Sequence, residues 1–261
     1  MIDFTQIDYA HLDRPEISFN LFHPRPQLRP RTANDLLIPV EDGIAVGAGF
    51  HMIDPSAPSI LFFHGNGEIV SDYDEMGAVY NQMGINFAVA DYRGYGRSTG
   101  EPSVTAMMRD SRTIFEFTGK WLEENGYRGR LAVMGRSLGS APALELAAIY
   151  QDRIDGLIIE SGFAFTGPLL ALVGVNLVSM AFNEAQGFRN LEKIKVFSKP
   201  ALIIHAERDQ IIPVSDGQAL FEACRSSQKT LLEIPRADHN DILLRGFERY
   251  TAAVAELTRA I

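Results

Sequence analysis

Gly135-Arg136-Ser137-Leu138-Gly139 is the stretch on which the reading of this chain turns. It follows a short apolar run, Leu131-Ala132-Val133-Met134, and precedes a helix-prone segment from Ala141 to Tyr150. A G-x-S-x-G placed between a strand and a helix forms a sharp, strained turn that holds the serine hydroxyl proud of a sheet. A side chain at either glycine would collide with neighbouring backbone, so the spacing has a steric cause. The motif is short, and its weight comes from what surrounds it.

Outward from it, strand-like and helix-like segments alternate. Leu36 to Val40, the turn Glu41-Asp42-Gly43 and Ile44 to Ile53 read as a hairpin. Ser59 to Phe63 and Ile85 to Ala90 read as buried strands, with a helix from Ser71 to Met83 between them. Ser103 is placed to cap a long helix reaching Asn125, with Met107, Ile114, Phe117 and Trp121 close to one face. Beyond the motif come strands at Gly156 to Ile159, Ala201 to Ile204 and Thr230 to Ile234, and helices at Val214 to Cys224 and Asp241 to Ala260. This order predicts a mostly parallel sheet covered on both faces. Residues 1–34 read as an N-terminal strap, in which Ile17 to Phe22 alternates like a strand. His23 to Arg31, with three prolines and three arginines, reads as a solvated surface strap rather than a partner-binding motif. Ser161 to Asn183 carries no charged residue. Its length is that of a membrane span, but its glycines, Pro168 and Asn176 and its place between two strands make it an apolar lid.

A serine hydroxyl is a poor nucleophile at neutral pH. It needs a base to take its proton, and the base needs an orienting carboxylate. In open α/β sheets such groups gather at the carboxyl ends of strands. Ser137 is the candidate nucleophile. Asp209, five residues after Ile204, is the candidate acid, with Glu160 at the end of the preceding strand as its rival and Glu207 and Asp216 weaker. His239 is the candidate base, because of six histidines it alone follows the last strand and opens the last helix. Asp238 is too close in sequence to His239 to face the same ring nitrogen. An oxyanion needs two donors. The Leu138 amide is one candidate, and the Asn66 amide in His64-Gly65-Asn66-Gly67-Glu68 is the other, with His64 holding that loop. Asp91 to Ser98 reads as a rigid turn beside the motif, and Arg136 as either a pocket-mouth group or a surface salt bridge.

Composition narrows the function. The 261 residues are 46% hydrophobic with a net charge of −9. That charge argues against nucleic acid, which demands a basic face, and against electrostatic docking on anionic lipid. A single cysteine, Cys224, allows no internal disulfide. With an acidic N-terminus lacking an apolar run, this points to a cytoplasmic protein. No metal cluster or phosphate loop is apparent, so no cofactor is expected. The partner implied is a small acyl substrate; oligomeric state is not readable.

These motifs together, His64 to Glu68, Asp91 to Ser98, Gly135 to Gly139, Asp209 and Asp238 to Asp241, resemble the α/β-hydrolase superfamily over residues 35 to about 255. Within it they are similar to small-lid serine hydrolases of the monoglyceride-lipase-like, serine-aminopeptidase-like and depalmitoylase-like groups. The resemblance implies a single domain with an eight-stranded sheet, strand 5 ending at Ser137, the acid after strand 7 and His239 after strand 8. It also implies a short helical lid at about residues 164–199, between strands 6 and 7. A serine at the elbow argues against dehalogenase and epoxide-hydrolase chemistry. Phe163, Phe165, Leu169, Leu170, Leu172 and Val173 suggest an apolar acyl pocket or lid core. The expected reaction is ester or thioester cleavage through an acyl-enzyme on Ser137. A peptidase with an acidic subsite at Glu68 or Glu160, a carbon–carbon bond hydrolase, a membrane-peripheral acyl hydrolase and a non-catalytic binding protein of the same fold stay open as alternatives.

Overall fold

The computed structural model describes residues 2–261. Eight strands form one sheet: β1 (Asp35–Glu41), β2 (Ile44–His51), β3 (Ser59–Phe63), β4 (Asn86–Ala90), β5 (Leu131–Arg136), β6 (Gly156–Glu160), β7 (Ala201–Ala206) and β8 (Lys229–Ile234). Their order is β1-β2-β4-β3-β5-β6-β7-β8. The β1–β2 and β2–β4 pairings are antiparallel, and every other pairing is parallel. The expected α/β architecture with a mostly parallel eight-stranded sheet is the one observed.

The strands from β3 to β7 are buried along their length because helices cover both faces. Alternate side chains of one strand therefore enter different cores. Leu61 and Phe63 of β3 pack with α3 (Val104–Glu124), α4 (Ser140–Ile149), α6 (Asn190–Ile194) and α7 (Val214–Ala223). Ile60 and Phe62 pack with α2 (Asp74–Gln82) and α8 (Ile242–Ala260) on the opposite face. Each such buried side chain contributes about 1.5–3 kcal/mol. Ser103 caps α3 as anticipated, its side chain accepting from the Ala106 amide at 3.1 Å.

The first helix corrects the sequence reading. Pro15–Leu21 is helical (α1), not a strand. Ile17, Phe19 and Leu21 would share one face of a strand, yet Ile17 and Leu21 are buried while Phe19 is 80% exposed. Only the four-residue spacing of a helix separates them in this way. Pro15 at the first helical turn favours that outcome.

Residues 161–200, between β6 and β7, carry α5 (Thr166–Leu172), a 3-10 turn (Glu184–Gln186) and α6. The Glu184 carboxylate accepts from the Thr166 and Gly167 amides and so satisfies the start of α5. Among the described residues no helix is long and apolar enough to cross a membrane. Phe163 and Leu170 belong to the main core, Leu169 and Val173 pack against it, and Phe165 and Leu172 are exposed. Lys193 of α6 is buried against Glu145 of α4, 2.9 Å apart, with the Tyr9 hydroxyl donating to the same carboxylate at 2.7 Å. This group anchors the end of the segment between β6 and β7 to the helix that follows Ser137.

Candidate active site

The elbow is built by close packing. β5 ends at Arg136, and Ser137 begins a single 3-10 turn that runs into α4. Ser137 has φ +51°, a left-handed conformation rare for residues other than glycine. Holding it there costs about 1–3 kcal/mol, which the surrounding packing must offset. A Cβ at Gly135 would collide with the Gly139 carbonyl, and one at Gly139 with the Phe63 carbonyl at the end of β3. Both glycines are therefore dictated by contact.

Three loops at the carboxyl ends of β5, β7 and β8 bring the candidate side chains together. His239, between β8 and α8, has its Nε2 2.9 Å from the Ser137 hydroxyl and its Nδ1 2.7 Å from Asp209 Oδ2. Asp209 follows β7, and its Oδ1 accepts from the Ile211 and Ile212 amides at 2.9 and 2.8 Å. Burial pushes the Asp209 carboxyl up, but the hydrogen bond and charge of His239, with the two amides, outweigh it and hold the group below the ordinary carboxylate value. His205, the next-to-last residue of β7, is buried beneath this loop, and its Nε2 lies 2.9 Å from the Ile212 carbonyl. Burial lowers the affinity of His205 for a second proton, so it serves as a neutral donor that pins the acid loop.

The loop after β3 lies against the elbow. His64 holds it, with Nδ1 2.8 Å from the Gly65 carbonyl and Nε2 3.2 Å from Asp91. Tyr92 donates to the His64 carbonyl at 2.6 Å, and Tyr95 to Asn66 Oδ1 at 2.7 Å. The Asp91 to Ser98 turn is thus the rigid support expected of it. The Asn66 amide makes no hydrogen bond among the described residues. The Leu138 amide lies in the opening turn of a helix, where amides lack intrahelical partners.

A family profile described as serine aminopeptidase, S33, matches residues 54–191. The chain is 32% identical over 195 residues to protein bem46 of Schizosaccharomyces pombe, covering 72% of this chain and 64% of that one. It is 32% identical over 213 residues to alpha/beta hydrolase domain-containing protein 17B of Xenopus laevis, covering 77% of this chain and 68% of that one. The chain belongs to the α/β-hydrolase family. The Pyrococcus furiosus esterase Pf2001 shares the fold, with a TM-score of 0.72 at 19% identity over 90% of this chain and 98% of that one. The chain spans about two thirds of the length of the curated relatives quoted.

Arg136 makes salt bridges, as one of its two expected readings has it, but they are largely buried rather than at the surface. It lies largely buried beside the elbow, between two carboxylates. Its Nε donates to Glu160 at 3.0 Å, its Nη1 pairs with Glu68, and its Nη2 donates to the His239 carbonyl at 2.8 Å. Glu68 also accepts from the Gly65 amide and the Tyr73 hydroxyl, each at 2.6 Å, and Glu160 from the Tyr250 hydroxyl at 2.7 Å. Burial would raise the Glu68 carboxyl, but the Arg136 charge leads the opposing effects and holds it below its ordinary value. One guanidinium thereby ties the elbow, the loop after β3, the end of β6 and the His239 loop. Its partners lie 68, 24 and 103 residues away, so no local pattern announces the network.

Replacing Arg136 with Met leaves the buried Glu160 and the half-buried Glu68 without their cation. Breaking a buried pair in this way costs about 3–5 kcal/mol, and the midpoint of urea unfolding at neutral pH is expected to fall accordingly. Glu68 has a depressed folded value, so its contribution is present above the unfolded value and is lost as pH falls through the folded one. The difference between wild type and Arg136→Met therefore shrinks in acid. Equal midpoints at neutral pH would mean that solvent reaches the carboxylates.

The other acidic candidates have structural partners. Glu160 is held by Arg136 and Tyr250. Asp216 accepts from the Ala164 amide at 2.8 Å and fixes the turn after β6. Glu207 accepts from the Arg236 amide, and Asp238 from the amides of Asn240 and Asp241 before α8.

Proposed function

We propose that this chain is a serine acyl hydrolase that cleaves a carboxylic ester or thioester of a small acyl substrate. The observation that carries the reading is the relay at the elbow, Ser137 Oγ to His239 Nε2 at 2.9 Å and His239 Nδ1 to Asp209 at 2.7 Å. Ser137 attacks the carbonyl carbon while His239 Nε2 takes the hydroxyl proton. The tetrahedral oxyanion is held by the Leu138 and Asn66 amides. Collapse expels the leaving group, which receives the proton from His239, and leaves an acyl-enzyme. Water then repeats the sequence, His239 accepting its proton, to release the carboxylic acid and free Ser137. Asp209 holds the imidazole with its proton on Nδ1 and stabilises the imidazolium formed in each half.

An aminopeptidase reading needs a free carboxylate to receive a substrate ammonium. Glu68 and Glu160, the two acids suited to that task, are both bound to Arg136 and to tyrosine hydroxyls. This favours esters over aminoacyl amides. In a series of p-nitrophenyl esters and acyl thioesters of increasing chain length, set against aminoacyl p-nitroanilides, the highest kcat/KM is expected for an ester or thioester. A preference for the anilides would reverse the assignment.

A further inference from the structure

The loop carrying Asn66 has little stiffness of its own. Glycines flank Asn66 on both sides, and Gly67 has φ +76°. Such a segment takes its orientation from whatever holds it. On one side the holders are His64 and Glu68, already described. On the other side is the N-terminal strap, which lies outside residues 54–191 matched by the family profile.

The strap reaches the loop through His23 and Arg25. The His23 amide donates to Asn66 Oδ1 at 2.8 Å and to the Tyr95 hydroxyl at 2.7 Å. Asn66 Nδ2 lies 2.9 Å from His23 Nδ1. Arg25 Nε donates to the Gly67 carbonyl at 2.7 Å, and its Nη2 pairs with Asp72. The strap is itself fixed: Gly96 donates to the Arg25 carbonyl at 2.9 Å, and Gln27 to the Gly96 carbonyl at 3.0 Å. Arg29 is bound to Asp35 and Asp74. The segment is the exposed surface strap expected from the sequence, and it is also pinned along its length.

Every polar atom of the Asn66 side chain is engaged by His23 or Tyr95. Its backbone N–H has no hydrogen-bond partner among the described residues and is left to act on a ligand. We infer that the strap is a positioning element of the oxyanion site, with His23 and Arg25 holding the Asn66 peptide at the angle that aims its N–H at the developing charge. The inference rests on the acyl-transfer reading. Its logic is that of preorganisation: the donor contributes only if it is already oriented when charge develops, and a displacement of about 1 Å can cost a hundredfold.

The test uses the full chain and p-nitrophenyl butyrate. Asn66→Ala removes the anchoring side chain but keeps the amide donor, and His23→Ala/Arg25→Ala removes the side-chain contacts of the strap, leaving the His23 backbone amide on Asn66 Oδ1. Each is expected to lower kcat by about tenfold to a hundredfold, with little change in KM and no shift in the acid limb of kcat/KM, because His239 is untouched. In His23→Asn the amide oxygen stands where Nδ1 stood and accepts from Asn66, so kcat stays near wild type. Wild-type kcat in Asn66→Ala and in the double variant would overturn the inference. So would a displaced acid limb in those variants, or a loss in His23→Asn as large as in the double variant. Fluorophosphonate labelling of the wild type separates the two levels. A wild type that neither labels nor turns over overturns the acyl-transfer reading itself, whereas one that does both, with the variants unaltered, overturns the strap inference alone.

Discussion

Ser137→Ala is expected to abolish ester turnover, lowering kcat by on the order of 10⁶ as loss of a catalytic nucleophile does elsewhere, while the melting transition stays within a few degrees of wild type. The side chain can be removed cheaply because its hydroxyl makes one hydrogen bond, to His239, and fills no space in either core. Alanine carries the same backbone strain at φ +51°, so the elbow keeps its shape. The two glycines, not the serine, hold the turn, since it is at Gly135 and Gly139 that a Cβ would strike backbone. A collapse of the melting transition would mean that Ser137 is a structural residue. Turnover at the wild-type rate would place the nucleophile elsewhere.

Asp209→Asn is expected to lower kcat by about 10⁴ with the fold intact. The reason lies in the hydrogen bonds around the carboxylate. Oδ1 is held by two backbone donors, Ile211 and Ile212. An asparagine must present its carbonyl oxygen to those amides, which turns its NH₂ toward His239 Nδ1. The imidazole then accepts at Nδ1 and carries its proton on Nε2, where it faces the Ser137 hydroxyl as a donor. It can no longer take the serine proton. His205 cannot substitute, because its Nε2 proton is committed to the Ile212 carbonyl. Glu160→Gln is the control: near-normal rates in Asp209→Asn with a severe loss in Glu160→Gln would make Glu160 the acid.

Much of this was legible because it is local. The elbow is five residues with a steric reason for each glycine, and the β5–α4 context is contiguous with it. Asp209 and His239 stand out because each follows an apolar strand whose end the sequence marks clearly. The mostly parallel sheet and its two-faced burial follow from the alternation of short apolar runs with helical ones. Ile17, Phe19 and Leu21 misled because a spacing of two and a spacing of four select the same outer pair. Only the exposure of Phe19 distinguishes them, and that depends on what the segment packs against. The Arg136 network was illegible for a different reason. A guanidinium next to a nucleophile is ambiguous until the ends of β3, β5 and β6 are set side by side. His23 and Arg25 were hidden in the same way, because their partners lie 43, 42 and 47 residues along the chain.

The central claim is that Ser137 is an activated nucleophile. It is tested most directly by treating the purified protein with a fluorophosphonate and measuring intact mass, alongside Ser137→Ala. One adduct per wild-type chain is expected, mapped to the peptide containing Ser137, and none on Ser137→Ala. A wild type that takes no adduct, or an adduct that persists in Ser137→Ala, would contradict the claim.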